Sequence, residues 1–213
     1  MSGAAGGCAP QGPKVFCVGF HRTGTSSLRA ALQILGYRVC GSVATEEPDV
    51  ASRVHQIAFD LLDHYDAFED NPWPVLYREL DERRPGSRFI LTIRPAEAWA
   101  RSVVRFFGTK TTPMREWIYG AGSPVGNEDR YRDRFERHNQ EVLRYFRDRP
   151  DDLLVLRITE GEGWPELCSF LRHPVPDEPF PHLVPSRQPR PAPGPSRIGR
   201  LLGNGPGRGG VTE

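Results

Sequence analysis

Lys14 to Leu28, reading KVFCVGFHRTGTSSL, decides the fold. Lys14 to Phe20 is an apolar, β-branched-rich run of strand length, and Leu28, Ala31, Leu32 and Leu35 then recur at helical spacing up to Gly36, a natural C-terminal stop. The stretch therefore reads as a buried strand, a tight turn and a helix. Between Gly19 and Gly24 the backbone can bend sharply and aim successive N–H groups at an anion, while the new helix adds the positive end of its dipole.

Gly19 and Gly24 have the separation of the phosphate loop GxxxxGK[ST], but Thr25 stands where the lysine belongs, followed by Ser26 and Ser27, and the cation sits earlier, at Arg22. In that pattern the lysine reaches the terminal phosphates and the next hydroxyl holds Mg²⁺, which a threonine in the lysine's place cannot reproduce. The arrangement suits a donor with a single phosphate at its reacting end and no metal, and a phosphosulfate is such a donor. The plain alternative is a glycine-bent strand-to-helix corner without a ligand. A second segment argues against it: Ser87 to Ile93, SRFILTI, is a continuous apolar strand ending in Arg94, with Ser102 eight positions later in a helix that starts near Pro95. Arginine offers a planar fork of donors matched to phosphate, and the carboxyl ends of parallel strands are where open α/β sheets gather ligands.

Arg22, Thr23, Gly24, Thr25, Ser26 and Ser27 together resemble the 5′-phosphosulfate loop of sulfotransferases that use 3′-phosphoadenosine 5′-phosphosulfate, and the arginine form resembles their bacterial and fungal branch over roughly residues 14 to 183. The resemblance implies a P-loop sulfotransferase-like α/β fold, a donor 3′-phosphate held by Arg94 and Ser102, and no metal. It also implies a base at the end of the strand Tyr65 to Glu69, where Asp70-Asn71-Pro72 occupies the place of a His-Leu-Pro sequence in cytosolic sulfotransferases. Aspartate can take the acceptor's proton if burial raises its pKa; alternatively Asp70 only caps a turn, and His21 inside the loop is the competing base. Ser27 stands where many sulfotransferases carry an aromatic, which leaves the adenine-stacking side chain unassigned. Gly161 to Leu171 and the prolines after it resemble the closing segment of this branch. Two other readings stay open, a P-loop small-molecule kinase using ATP and a catalytically silent nucleotide-binding scaffold.

Working outward, Asp49 to His64, Val75 to Arg84 and Asp129 to Arg147 carry helical periodicity, and Leu153 to Ile158 is a further apolar strand. This alternation predicts a three-layer α/β/α domain over 14–185 with a mainly parallel sheet, preceded by a flexible arm, 1–13, and followed by a disordered Pro/Arg/Gly-rich tail, 186–213. Gly108 to Gly126, with Lys110, Trp117 and Tyr119, is long enough to be a lid over an acceptor, and reads equally as a plain surface excursion. At 213 residues the chain can bury one core, and a formal charge of +1 speaks against a nucleic-acid surface. Only Lys14 and Lys110 are lysines, so arginine carries nearly all the positive charge. Cys8, Cys17, Cys40 and Cys168 lack metal-like spacing and read as reduced thiols. With neither a leader pattern nor an eighteen-residue apolar run, a cytoplasmic location and no membrane span are expected; the partner is a small-molecule, carbohydrate or lipid acceptor.

Overall fold

The computed structural model describes residues 13–183. Most of the N-terminal arm with Cys8, and all of the tail from 186, lie outside the described residues.

Among the described residues five short strands form one sheet: β1 Val15–Cys17, β2 Val39–Cys40, β3 Ala67–Phe68, β4 Arg88–Thr92 and β5 Leu153–Leu156. Their order is β2-β3-β1-β4-β5 and every pairing is parallel, with Phe16 opposite Phe68 and Phe89, and Leu91 opposite Val155. A parallel sheet buried on both faces needs continuous apolar strands, and Val15 to Val18 and Phe89 to Leu91 are each at most 1% exposed. Among the described residues seven helices cover the sheet: α1 Thr25–Ile34, α2 Val50–Phe59, α3 Tyr77–Arg83, α4 Ala96–Phe107, α5 Pro113–Tyr119, α6 Glu128–Tyr145 and α7 Trp164–Leu171.

Strand alternation sorts the core. Phe16, Phe68, Phe89 and Leu91 face Ala58 of α2, Leu80 of α3 and Val142 of α6, while Val15, Cys17, Ala67 and Ile90 face Leu28 of α1 and Leu167 of α7. The result is the three-layer α/β/α arrangement that the helix–strand alternation predicts. A third cluster, with Phe20, Val54, Trp99, Met114, Tyr119 and Phe135, joins α2, α4, α5 and α6 beside the loop that follows β1. Cys17, Cys40 and Cys168 are buried free thiols. Among the described residues no helix is long and apolar enough to cross a membrane.

The chain leaves β1 for β2 at the sheet edge, returns to β3 beside β1, and then crosses to β4 on the other side of β1. That reversal marks a switch point at the carboxyl ends of β3, β1 and β4, where open α/β sheets carry their ligand crevice.

Candidate functional site

Three connections converge on that crevice. The β1–α1 turn is shaped by two positive-φ residues, Arg22 at 69° and Gly24 at 106°. Gly19 lies against the end of β4, so that a Cβ there would come within 2.5 Å of the Thr92 carbonyl oxygen; only glycine fits. Thr23 staples the turn from within, its hydroxyl 2.6 Å from both the Phe20 carbonyl and the Thr92 hydroxyl, and it is 0% exposed. Leu28 N–H closes the first turn of α1 onto Gly24 O, which leaves the amides of Thr25, Ser26 and Ser27 without intrahelical acceptors. The loop thus offers an anion backbone N–H groups and the helix dipole, while two of the expected hydroxyls are occupied. Thr23 points inward, and Ser27 Oγ accepts the Leu183 N–H at 2.9 Å.

Arg22, Arg94 and Ser102 come together. Arg22 Nε donates to Ser102 Oγ at 3.1 Å, its guanidinium lies 4.3 Å from the Phe106 ring centroid, and Arg94 donates to the Arg22 carbonyl at 3.4 Å. The sequence assigns Arg22 to one end of a donor and Arg94 with Ser102 to the other; here the guanidinium of Arg22 rests on Ser102, so the two ends adjoin. Phe106 and Arg105, both missed by the sequence reading, follow from Ser102 along α4, with Phe106 one helical turn on. Burial pulls the Arg22 pKa below the ordinary arginine value, and the neighbouring charges of Arg94 and Arg105 pull it further in the same direction. Among the described residues none of these three arginines forms an ion pair with a carboxylate. Like charges held together in this way favour a ligand with more than one negative charge.

Asp70 follows β3 at φ 68°, in the left-handed region where non-glycine residues are uncommon, and its Oδ1 accepts the Asn71 N–H at 2.8 Å. The Asn71–Pro72 peptide is cis. Trp73, next in line, is fully buried and donates its indole N–H to Gly41 O, so the turn after β3 is anchored to the end of β2. Immediately before Asp70, Glu69 is 1% exposed and pairs with Arg29 of α1. Gly41 makes room for that arginine, since a Cβ there would stand 2.7 Å from the guanidinium carbon.

His21 is buried between Asn71 and Tyr119. Burial, and then the charges of Arg115 and Arg22, lower its pKa to about 3, so it is a neutral and weakly basic imidazole at physiological pH. The segment long enough for a lid contains α5, whose position is fastened by hydrogen bonds. Thr112 Oγ1 caps α5 by accepting Arg115 N–H, and the guanidinium of Arg115, a residue only 4% exposed, donates to Gly122 O at 2.9 Å and to Lys110 O. Lys110 itself pairs with Glu46 in an exposed contact of 3.7 Å.

With this geometry in view, comparison with known proteins is specific. The family model described as a sulfotransferase domain matches residues 14–124 and 110–188, which together span more than half of the chain. A protein of Aspergillus versicolor, the Ava biosynthesis cluster protein M, is 27% identical, with 81% of this chain and 81% of that protein covered.

Proposed function

The chain belongs to the sulfotransferase-domain family, and from that premise we propose that it transfers a sulfuryl group from 3′-phosphoadenosine 5′-phosphosulfate to a hydroxyl or amine of a small-molecule, carbohydrate or lipid acceptor. One observation carries the choice of donor: Arg22, Arg94 and Arg105 crowd together without a carboxylate partner among the described residues, beside the open amides of a helix N-terminus. A nucleotide with separate 3′- and 5′-phosphates matches that chemistry, because each phosphate takes charge-assisted hydrogen bonds from guanidinium groups and backbone N–H donors. The relative's name, which refers to a biosynthesis cluster, favours a small-molecule acceptor.

The donor supplies an activated sulfur whose leaving group is a phosphate. Asp70 takes the proton of the acceptor hydroxyl, from a carboxylate oriented by its own backbone turn. Arg22 and the amides of Thr25, Ser26 and Ser27 stabilise the negative charge that grows on the leaving oxygen, and Arg94 with Ser102 holds the remote phosphate. No lysine stands after Gly24 and no aspartate ends β4, so this chain lacks the parts with which P-loop kinases bind ATP and Mg²⁺.

The test is calorimetry of the full-length protein with 3′-phosphoadenosine 5′-phosphate beside ATP with Mg²⁺. The first should bind at micromolar concentration or tighter and the second at least tenfold more weakly. The opposite preference would replace this reading with a kinase.

A further inference from the structure

The proposed donor site leaves one loop residue without a task. His21 lies between Phe20 and Arg22 in the turn that faces the crevice, yet its side chain is 5% exposed and makes no contact that would serve a phosphate. Both ring nitrogens are engaged inside the protein: Asn71 Nδ2 is 3.3 Å from Nδ1, and Tyr119 Oη is 3.3 Å from Nε2. With the Asn71 N–H₂ toward the ring, Nδ1 accepts and the ring proton belongs on Nε2, directed to the tyrosine oxygen. The ring is fixed in its other directions as well. Phe107 meets it edge-on with centroids 4.8 Å apart, Trp99 lies nearly parallel at 6.1 Å, and the Trp99 indole N–H donates to the His21 carbonyl at 2.8 Å.

Asn71 is the next link. Its side chain is held by His21, its carbonyl accepts Val43 N–H from the β2 connection, and its own N–H holds Asp70 Oδ1 at 2.8 Å. The turn that carries Asp70 is therefore gripped from three elements, α5 through Tyr119, the β1 loop through His21, and the β2 connection through Val43. Positive φ at Asp70 has to be imposed by its surroundings, and these contacts are part of them.

We propose that His21 is a positioning residue: strung between Tyr119 and Asn71, it fixes the turn that aims the Asp70 carboxylate at the acceptor. This deepens the sulfotransferase reading and rests on Asp70 as its base. The charged and titratable groups that bear on the imidazole include Arg22 of its own loop and Arg115 and Tyr119 of α5, and Tyr119 in turn feels the Asp70 carboxylate; burial and the two arginines keep the ring neutral.

The strut can be tested apart from the donor site. Nitrogen NMR of the full chain, labelled at histidine and assigned with His21→Gln, should show a neutral ring protonated at Nε2 throughout about pH 5 to 8. Titration inside that range, or a proton on Nδ1, would overturn the proposal. In assays of labelled sulfuryl transfer to 2-naphthol or water, His21→Leu should lower kcat by about 10- to 100-fold with the affinity for 3′-phosphoadenosine 5′-phosphate unchanged. His21→Gln, whose amide both donates and accepts, should recover most of that loss, and Tyr119→Phe should fall between the two. Unchanged kcat in His21→Leu would sink the idea, as would a loss in folded His21→Gln as deep as that of Asp70→Asn, which would make the histidine itself the base. If His21→Leu does not fold, or neither probe is turned over, the tautomer decides. Failure of the wild type to bind 3′-phosphoadenosine 5′-phosphate would count against the donor reading and leave the strut standing.

Discussion

The two ends of the sheet treat charge in opposite ways. At the amino ends of β2, β3 and β1, Arg38 and Lys14 converge on Asp66: Arg38 forms a bidentate pair at 2.8 and 3.0 Å, and Lys14 Nζ lies 3.9 Å from the carboxylate while donating to the Tyr65 carbonyl. At the carboxyl ends, burial and then the charges of Arg94 and Arg105 lower the proton affinity of Arg22, and none of the three has such a partner among the described residues. Among the described residues four non-glycine residues have positive φ, and two of them, Arg22 and Asp70, are the ones nominated for chemistry at the carboxyl end. One edge is satisfied and the other is poised, so substitutions at the first should cost stability and those at the second should cost function.

The sharpest break in that contrast would come from Asp70. Asp70→Asn removes the base while keeping the size of the side chain and an oxygen that can accept the Asn71 N–H. Turnover should fall by about 10²- to 10⁴-fold with donor-product affinity within about twofold of wild type. Steady-state kinetics beside calorimetry checks both halves; a mild loss of turnover would leave Asp70 as a turn-former.

Arg94→Ala is next in size. Loss of one charge-assisted contact should weaken 3′-phosphoadenosine 5′-phosphate by about 10- to 100-fold, matching about 1.5–3 kcal/mol. Because the empty cluster is self-repelling, the unliganded variant should melt no lower than wild type. A drop in melting temperature with unchanged affinity would place Arg94 with the structural arginines.

How much of this was legible in the sequence follows from what sequence encodes well. Contiguous apolar runs mark β1 and β4, and a turn between glycines marks the loop, so the neighbourhood of Arg22, Arg94 and Ser102 was legible without coordinates, whereas Asp70 is reached only through the family resemblance. The fold class was legible for the same reason, since helix–strand alternation leaves few alternatives to a parallel sheet. Strand lengths were less so: Tyr65 to Glu69 reads as a strand, the regular strand spans only Ala67–Phe68, and the N–H groups of Asp66 and Glu69 still reach the carbonyls of Arg38 and Cys40. Direction was invisible. Nothing in RTGTSS tells that Thr23 turns inward to Thr92 or that Ser27 receives Leu183, because both partners are remote in the chain. The α5 helix was hidden behind the glycines around it, and the buried Arg115 that fastens it looks like any other arginine in an arginine-rich sequence.

Acid should separate the two edges by pH. His21 and His138 are buried and neutral, with pKa values lowered to about 3 and about 4 from 6.5, in both cases by burial first; the His138 Nε2–H donates to Val18 O at 2.7 Å. The unfolded chain binds these two protons more readily, so the stability they contribute is complete above the ordinary histidine value and declines as pH falls below it. The slope should be about 1.4 kcal/mol per pH unit for each histidine. Asp66 behaves differently. Hydrogen bonds from Arg38 hold its pKa below the ordinary 3.8, so its contribution persists through the histidine window and is lost only at lower pH. Denaturant titrations over a pH series should show the histidine limb first, and His138→Gln should reduce its slope by about half.

The smallest effect tests the satisfied edge directly. Asp66→Asn removes the charge that Arg38 and Lys14 share, yet the amide oxygen can still accept from the Arg38 backbone N–H, and Lys14 keeps the Tyr65 carbonyl. Arg38 is half-exposed, so its unpaired guanidinium can turn to water and the loss stays modest. Melting temperature should fall by about 2–4 °C, the acid limb below the carboxylate range should flatten, and affinity for 3′-phosphoadenosine 5′-phosphate should not move. A change in that affinity comparable to Arg94→Ala would mean that charge at the amino edge is felt across the strands. The separation of a stabilising edge from a binding edge would then be wrong, even with every contact in place.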